Sequence, residues 1–264
     1  MIGVARFLRN IASRDWNRRL AALNVLATRL VPGYRLTWWQ MDWWGDEDFN
    51  LYLDRFSERR AFNTHRKWTL WQLLRLVDGI DGDTAECGVF EGASSWLICA
   101  AIQGTERTHY LFDSFEGLSQ PEAVDGSHWK VGALAAGEDL VLDNLRPFAE
   151  SLAFHKGWIP DRFPDVAANS FAFVHVDVDL HQPTWDAVEF FYPRLSPGGI
   201  LLCDDYGCST CPGATAAVDA FLADKPEKMI SLDAGGGFFI KGVWTDSQRK
   251  PLEMPEPSRG RCDF

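Results

Sequence analysis

The sequence predicts an α/β fold: a Rossmann-like, mostly parallel seven-stranded sheet with helices on both faces, behind an N-terminal helical extension. From residue 84 onward, short runs of β-branched and aromatic residues alternate with helix-length segments, the pattern of a sheet wrapped on both faces. Residues 171–207 (FAFVHVDVDLHQPTWDAVEFFYPRLSPGGILLCDDYG) read as strand, crossover helix, strand, and each strand runs out into acids. Residues 84–90 (TAECGVF) enter a glycine turn that opens an apolar helix, the arrangement with which such folds approach a nucleotide.

In chain order, residues 4–31 carry a helical pattern. Phe7, Leu8 and Ile11, then Leu20, Leu23, Leu26, Ala27 and Leu30, recur at three- and four-residue steps between arginines, and Pro32-Gly33 stops the run. Such a basic amphipathic helix suits an anionic membrane surface, the protein's own acidic body or a second subunit, so a homo-oligomer through this extension is one expectation. Residues 38–56 are aromatic and acidic without clear period; indoles there line a pocket, form an interface or fill a small core. Residues 64–80 read as a helix with Trp68, Leu70, Trp71, Leu74 and Val77 inward.

Strands are expected over 84–90, 109–112 (ending on Asp113), 152–155, 171–177 and 199–203. Residues 229–232 and 237–241 complete the sheet as an antiparallel pair, and 96–103 form the helix after the first strand. The patternless stretch 119–137 reads as a lid over the sheet edge, with His128 and Trp129 near its middle. This divides the chain into an Arg- and Trp-rich extension (1–60), one large domain (61–245) and an irregular tail rich in proline and charge (246–264).

The totals exclude several classes. A chain of 264 residues, 46% hydrophobic and 24% charged, has the composition of a globular protein. No run approaches the roughly 18 apolar residues of a membrane span, and the N-terminus lacks the features of a secretory signal, so a cytoplasmic location is expected. The net charge of −11 argues against nucleic acid as partner. The charge is uneven: seven arginines against Asp15 alone give residues 1–35 a net +6, which leaves −17 for the rest. Six scattered cysteines make no disulfide scaffold. Cys208-Ser-Thr-Cys211 is formally a CxxC, but with no second pair or zinc-spaced histidines it reads as loop or core thiols.

The chemistry gathers at the carboxyl edge of the sheet. If the strands ending in Asp177-Val178-Asp179 and Asp204-Asp205 are parallel neighbours, their acids meet where open α/β folds bind ligands. Carboxylates brought together repel unless a cation or protons compensate them, which points to a hard-metal site; solvated loop acids are the plain alternative. On a regular strand Asp177 and Asp179 share a face, so both would reach the metal region. At the other end, Glu86-x-Gly88-x-x-x-Gly92-x-Ser94 is not a dinucleotide fingerprint. An acid beside the turn repels phosphate and suits a cofactor with a cationic amino-acid end. Asp113, followed by Ser114, closes the second strand, where an acid accepts both hydroxyls of a ribose.

These segments together resemble the macrocin O-methyltransferase family, class I S-adenosylmethionine-dependent enzymes that methylate sugar hydroxyls with a divalent metal. The matching blocks are AECGVFEGAS at 85–94, FDSFEGL at 112–118, GWIPDRFP at 157–164, the long block at 176–207 and FIKG near 239. The resemblance implies a class I methyltransferase fold, with S-adenosyl-L-methionine and Mg²⁺ as cofactors. It implies that Glu86, Gly88 and Gly92 surround the methionine part, with Ser94 and Ser114 beside the cofactor. Asp113 would take the ribose, Gly157 and Trp158 would lie near the adenine, and Asp177, Asp204 and Asp205 would hold Mg²⁺. The family commonly has tyrosine where His181 stands here.

The implied reaction has a simple physical account. A sugar hydroxyl is a poor nucleophile; a divalent ion with open positions lowers its pKa, and a nearby base takes the proton. Asp177, Asp179 and His181 are the candidate bases. Methyl transfer then depends mainly on positioning. The expected acceptor is a small sugar-like molecule with vicinal hydroxyls. The rival readings are a dinucleotide-dependent oxidoreductase, a non-catalytic member of a glycan or natural-product pathway, and a metal-dependent hydrolase.

Overall fold

The computed structural model describes residues 4–31, 42–59, 61 and 63–243. They fall into two compact units, Met1–Tyr52 and Leu53–Phe264; the sequence pattern puts this division after residue 60. The tail expected over 246–264 lies outside the described residues, as does Pro32-Gly33. No helix among the described residues is long and apolar enough to cross a membrane.

In the first unit, the single helix expected over 4–31 is two helices, α1 (Val4–Ile11) and α2 (Trp16–Leu30). The break is a capping event. Asp15 leaves the helical conformation and its side chain accepts the Asn17 N–H at 2.9 Å, satisfying a donor that the start of α2 would otherwise leave unpaired. The apolar series skips from Ile11 to Leu20, and the cap falls within that gap. The aperiodic stretch after it holds a 3₁₀ turn, Asp42–Gly45, and α3 (Glu47–Arg55), where the Asp46 side chain accepts the Phe49 N–H.

The second unit opens with α4 (Thr64–Leu74), followed by a 3₁₀ turn, Arg75–Val77. Leu70, Leu74 and Val77 are buried as expected, but Trp68 and Trp71 are only half-buried, and Leu73 and Lys67 take the inward positions. The sheet contains β1 (Asp83–Cys87), β2 (His109–Asp113), β3 (Leu152–Lys156), β4 (Phe171–Val176), β5 (Leu195–Cys203), β6 (Ile230–Ser231) and β7 (Gly237–Ile240). Its order is β3-β2-β1-β4-β5-β7-β6. The first five strands are mutually parallel; β7 runs antiparallel to both β5 and β6.

Covering helices are α5 (Ala93–Ile102), α6 (Glu138–Asn144), α7 (His181–Phe191) and α8 (Pro212–Phe221). All six residues of β4 are buried, which is why its sequence is continuously apolar around His175 rather than alternating. Phe112, Phe163, Phe171 and Phe191 interlock by edge-to-face contacts, with Phe171 and Phe191 centroids 5.0 Å apart. The chain lays strands outward from β1 through β3, then returns to β4 on the other side of β1. That reversal opens a crevice at the carboxyl ends of β1 and β4.

Candidate active site

A cavity of about 780 Å³ sits over that crevice, within the range of a cofactor site. Strand β4 stops at Val176, one residue earlier than expected, and this reorganises the acids. The Asp177 N–H donates to the Cys87 carbonyl at 2.9 Å, and Asp179 adopts a left-handed φ of 60°. The shared strand face expected for Asp177 and Asp179 therefore does not exist. Instead His175, Asp177 and Asp204 bring ligand atoms within 4.8 Å of one another, and Asp179, Asp205 and Cys211 form a second such group. The Asp179 N–H donates to Asp205 at 2.8 Å, tying the two strand ends together.

The rim is short of positive charge. Burial, then Asp204, pushes the Asp177 carboxyl up to about 7, and burial takes Asp179 to about 6. Burial, then Asp177 and Asp179, drives Asp205 well above the usual carboxylate range. Asp204 goes the other way: burial opposes its charge, but Arg66, Lys67 and His175 outweigh it. Arg66 reaches the rim from α4, hydrogen-bonding the Asp204 carbonyl at 2.7 Å and its carboxylate, with Asp205 at 3.9 Å. The four carboxylates of the rim, which already gather a guanidinium, offer the oxygen donors and charge that a hard divalent cation takes, with His175 and Cys211 as the nitrogen and sulfur donors beside them.

The nucleotide end differs in detail from its expectation. Glu86 is buried and lines the cavity, yet both carboxylate oxygens have partners: His175 Nδ1 at 2.8 Å and the Ser95 hydroxyl. Burial works against its charge, but the imidazoles of His109 and His175 hold it down at about 2. His175 is in turn raised to about 9: burial opposes this, and Asp204 and Glu86 outweigh it. Glu86 thus lines the cavity with one partner on each oxygen, and a carboxylate keeps further lone pairs beyond those two. Gly88 has φ 81°, and a Cβ there would lie 1.8 Å from the Asp177 carbonyl oxygen, so only glycine lets the ends of β1 and β4 touch.

Asp113 at the end of β2 accepts the N–H groups of Val89 (2.7 Å), Phe90 (3.2 Å) and Phe115 (2.7 Å). It fixes the turn after β1, and a carboxylate has further lone pairs to offer a hydroxyl. Ser114, Gly157 and Trp158 also line the cavity, as does Ser94 at the start of α5. Two predicted site residues do not line the cavity. Gly92 serves the fold as the left-handed residue before α5, packed on Leu145 and Val141. His181 opens α7, where its backbone N–H donates to Asp125 at 2.7 Å.

The loop 119–137 closes on its own base, where Gly132 and Ala133 pair with Leu118, and is pinned farther out at Asp125 and Trp129. Buried Asp125 holds the start of α7, and the Trp129 indole N–H donates to Cys211 Sγ at 3.3 Å. The Cys211 thiol donates onward to Asp179 at 3.4 Å, so the loop touches the acidic rim through one sulfur. Cys208 and Cys211 are free thiols, the second buried. Sequence reasoning missed Glu58, Arg66, Lys67 and Cys211 as cavity or rim groups. Its one available signal was the lone His175 inside an apolar strand. Nothing in the spacing of residues 58–67 says that this segment faces the sheet edge.

A sequence profile of the macrocin-O-methyltransferase (TylF) family matches residues 70–241, more than half of the chain. The chain belongs to that family. It is 35% identical over 152 residues to the 8-demethyl-8-(2,3-dimethoxy-alpha-L-rhamnosyl)-tetracenomycin-C 4'-O-methyltransferase of Streptomyces olivaceus, covering 53% of this chain and 58% of that one. It is 29% identical over 177 residues to the demethyldecarbamoylnovobiocin O-methyltransferase of Streptomyces niveus, covering 61% and 67%. The alignment thus spans less than two thirds of the tetracenomycin relative.

Among solved structures, the O-methyltransferase NovP superimposes with a TM-score of 0.57 at 29% identity, over 67% of this chain and 79% of NovP. The calicheamicin methyltransferase CalS11 gives 0.63 at 20% identity, over 89% and 97%, and speaks for the fold alone. The fold is the Rossmann-like one of class I O-methyltransferases. The family profile takes in Asp113 and every acid of the rim, but begins after Glu58, Arg66 and Lys67.

Proposed function

We propose that the protein is an S-adenosylmethionine-dependent O-methyltransferase acting on a hydroxyl of a sugar or glycosylated natural product, with a divalent cation, Mg²⁺ by donor preference, held by Asp177, Asp204 and Asp205. One observation carries the reading: a ribose-type acid, Asp113, and a four-carboxylate rim face a single cavity at the switch point of the sheet. Membership of the macrocin-O-methyltransferase family and the names of the relatives, both O-methyltransferases and one of them named for a rhamnosyl-tetracenomycin, support it.

When bound, S-adenosylmethionine supplies an activated methyl group on a sulfonium. A divalent cation at the rim would supply open coordination for acceptor hydroxyls, vicinal ones best, and lower the pKa of one of them. The remaining work falls to this chain. Asp113 holds the turn after β1 and presents lone pairs to ribose hydroxyls, while Gly157 and Trp158 wall the adenine side. Asp179 is the proton acceptor on geometric grounds: it lines the cavity, touches Asp205 and is oriented by the Cys211 thiol. Asp177 is the ligand beside it, and His181 plays no direct part. Trp129 and the loop 119–137 close over the acceptor and exclude water.

Thermal shift tests the donor assignment. S-Adenosylhomocysteine should raise the midpoint and NADH should not; equal stabilisation by NADH returns the oxidoreductase reading. A radiolabelled methyl-transfer screen over glycosylated acceptors, with and without Mg²⁺, tests the reaction.

A further inference from the structure

His175 has no task in the reaction proposed above, yet it is built into the base of the rim. It stands near the end of β4, is fully buried, and its two ring nitrogens face different acids of the cavity wall. Nδ1 meets Glu86 Oε1 at 2.8 Å. Nε2 has no hydrogen-bond partner among the described residues and lies 3.7 Å from an Asp204 carboxylate oxygen.

That asymmetry sets the chemistry of the ring. An ionised carboxylate only accepts, so Nδ1 carries the hydrogen of the Glu86 bond, and in the neutral ring Nε2 keeps its lone pair. A carboxylate that fixes one nitrogen while the other faces a ligand set is the arrangement that supports metal-bound histidines. Here the ligand set is Asp177 and Asp204, whose oxygens lie with a His175 ring nitrogen inside 4.8 Å. The 3.7 Å gap to Asp204 is too long for a hydrogen bond. It matches two ligand atoms on one ion, which bonds of about 2.1 Å place roughly 3–4 Å apart. His109, the other imidazole beside Glu86, is turned elsewhere: its Nδ1 pairs with Thr84 Oγ1 at 2.9 Å and its Nε2 faces Glu86 at 3.8 Å.

A proton competes with the ion for the Nε2 lone pair. Burial opposes that proton, but Asp204 and Glu86 outweigh burial and raise the imidazole to about 9. A divalent ion between Nε2 and Asp204 puts two positive charges where the proton puts one, among acids that are short of counter-charge.

We propose that His175 Nε2 is a nitrogen ligand of the rim cation, alongside Asp177 and Asp204, and that it gives the site a preference for borderline transition-metal ions such as Co²⁺ and Mn²⁺ over Mg²⁺. This rests on the cation half of the proposed function and deepens it. Mg²⁺ takes oxygen and keeps water, so the acids alone would serve it, whereas an imidazole adds binding only for ions that accept nitrogen.

Metal titrations of the full chain, with neither cofactor nor acceptor, test this with Mn²⁺, Co²⁺ and Mg²⁺ alone. Electron spin echo of bound Mn²⁺ should show the modulation of a directly bonded imidazole nitrogen, and His175→Gln should abolish it. The same variant should weaken Co²⁺ at least about tenfold by calorimetry and leave Mg²⁺ no weaker than in wild type. If His175→Gln does not fold, a chain with His65, His128 and His181 all changed to Gln decides the matter, since these are the imidazoles next to Arg66, Trp129 and Leu180. Nitrogen modulation that persists there belongs to His175, and its loss there overturns the assignment. Bound Mn²⁺ without nitrogen modulation in wild type overturns the proposal and leaves the carboxylate site standing, as does an equal loss of Co²⁺ and Mg²⁺ in His175→Gln. A free-ion Mn²⁺ signal that the folded chain does not diminish overturns the cation site itself.

Discussion

Arg66 of α4 grips Asp204 twice, through the backbone carbonyl at 2.7 Å and through the carboxylate. The rim thus contains its own counter-cation, and the divalent ion proposed there would compete with it for the same oxygens. Arg66→Gln is expected to lower the unfolding midpoint in chelator, because it leaves buried carboxylates uncompensated. It should also tighten Mn²⁺ binding, read by the loss of the free-ion signal in electron paramagnetic resonance. Unchanged affinity would mean that Arg66 and the ion do not share a site.

Asp204→Ala removes the acid held most firmly in its charged form. Divalent-dependent turnover should vanish while S-adenosylhomocysteine binds within a fewfold of wild type by calorimetry. Full wild-type activity in excess chelator would refute the metal role.

Gly88→Ala places a methyl against the Asp177 carbonyl in a backbone conformation that alanine avoids. The backbone term alone costs about 1–3 kcal/mol, and the collision adds to it. Denaturant unfolding should show at least that loss, and cation binding should weaken along with stability because Asp177 is displaced.

Asp125→Ala strips the lid of its anchor at the start of α7 and leaves the His181 N–H unsatisfied, a cost of about 1–3 kcal/mol. Limited proteolysis should then cut within 119–137 faster than in wild type, and the acceptor KM should rise more than the cofactor Kd.

Glu227 gives a pH signature remote from the rim. Burial opposes its charge, yet the Tyr192 hydroxyl at 2.6 Å and the Gly242 N–H at 2.9 Å outweigh it, with Lys241 at 3.7 Å. Its folded pKa therefore lies below the ordinary 4.5. The stability this contributes is fully present above 4.5 and is lost as pH falls through the depressed value. In Glu227→Gln the fall in unfolding midpoint below pH 4.5 should be shallower than in wild type. Parallel acid limbs would rule the contribution out.

Much of this is legible in the sequence. The parallel strands announce themselves because each is short, apolar and bounded by turn residues, and the strand ends carry Asp113, Asp177, Asp204 and Asp205 straight to one edge. What was not legible is whatever depends on side-chain direction after regular structure stops. Asp179 left the face expected of it because β4 ends at Val176, and the residue then takes a left-handed conformation. Glu86 turned inward because His175 pairs with it across the β1–β4 register. Arg66 and Lys67 sit in a helix whose apolar pattern is ordinary, and helical periodicity does not tell a basic pair on the surface from one aimed at a site.

In the proposed reaction, the contact between Gly88 and Asp177 joins the donor half of the cavity to the cation half. Because any Cβ at Gly88 meets the Asp177 carbonyl, that wall tolerates no substitution at Gly88 and would hold the spacing of the two reactants fixed. New acceptors must then be accommodated from above, in the segment 119–137 that carries Trp129. Exchanging that segment between relatives is the expected way to change what is methylated without disturbing how.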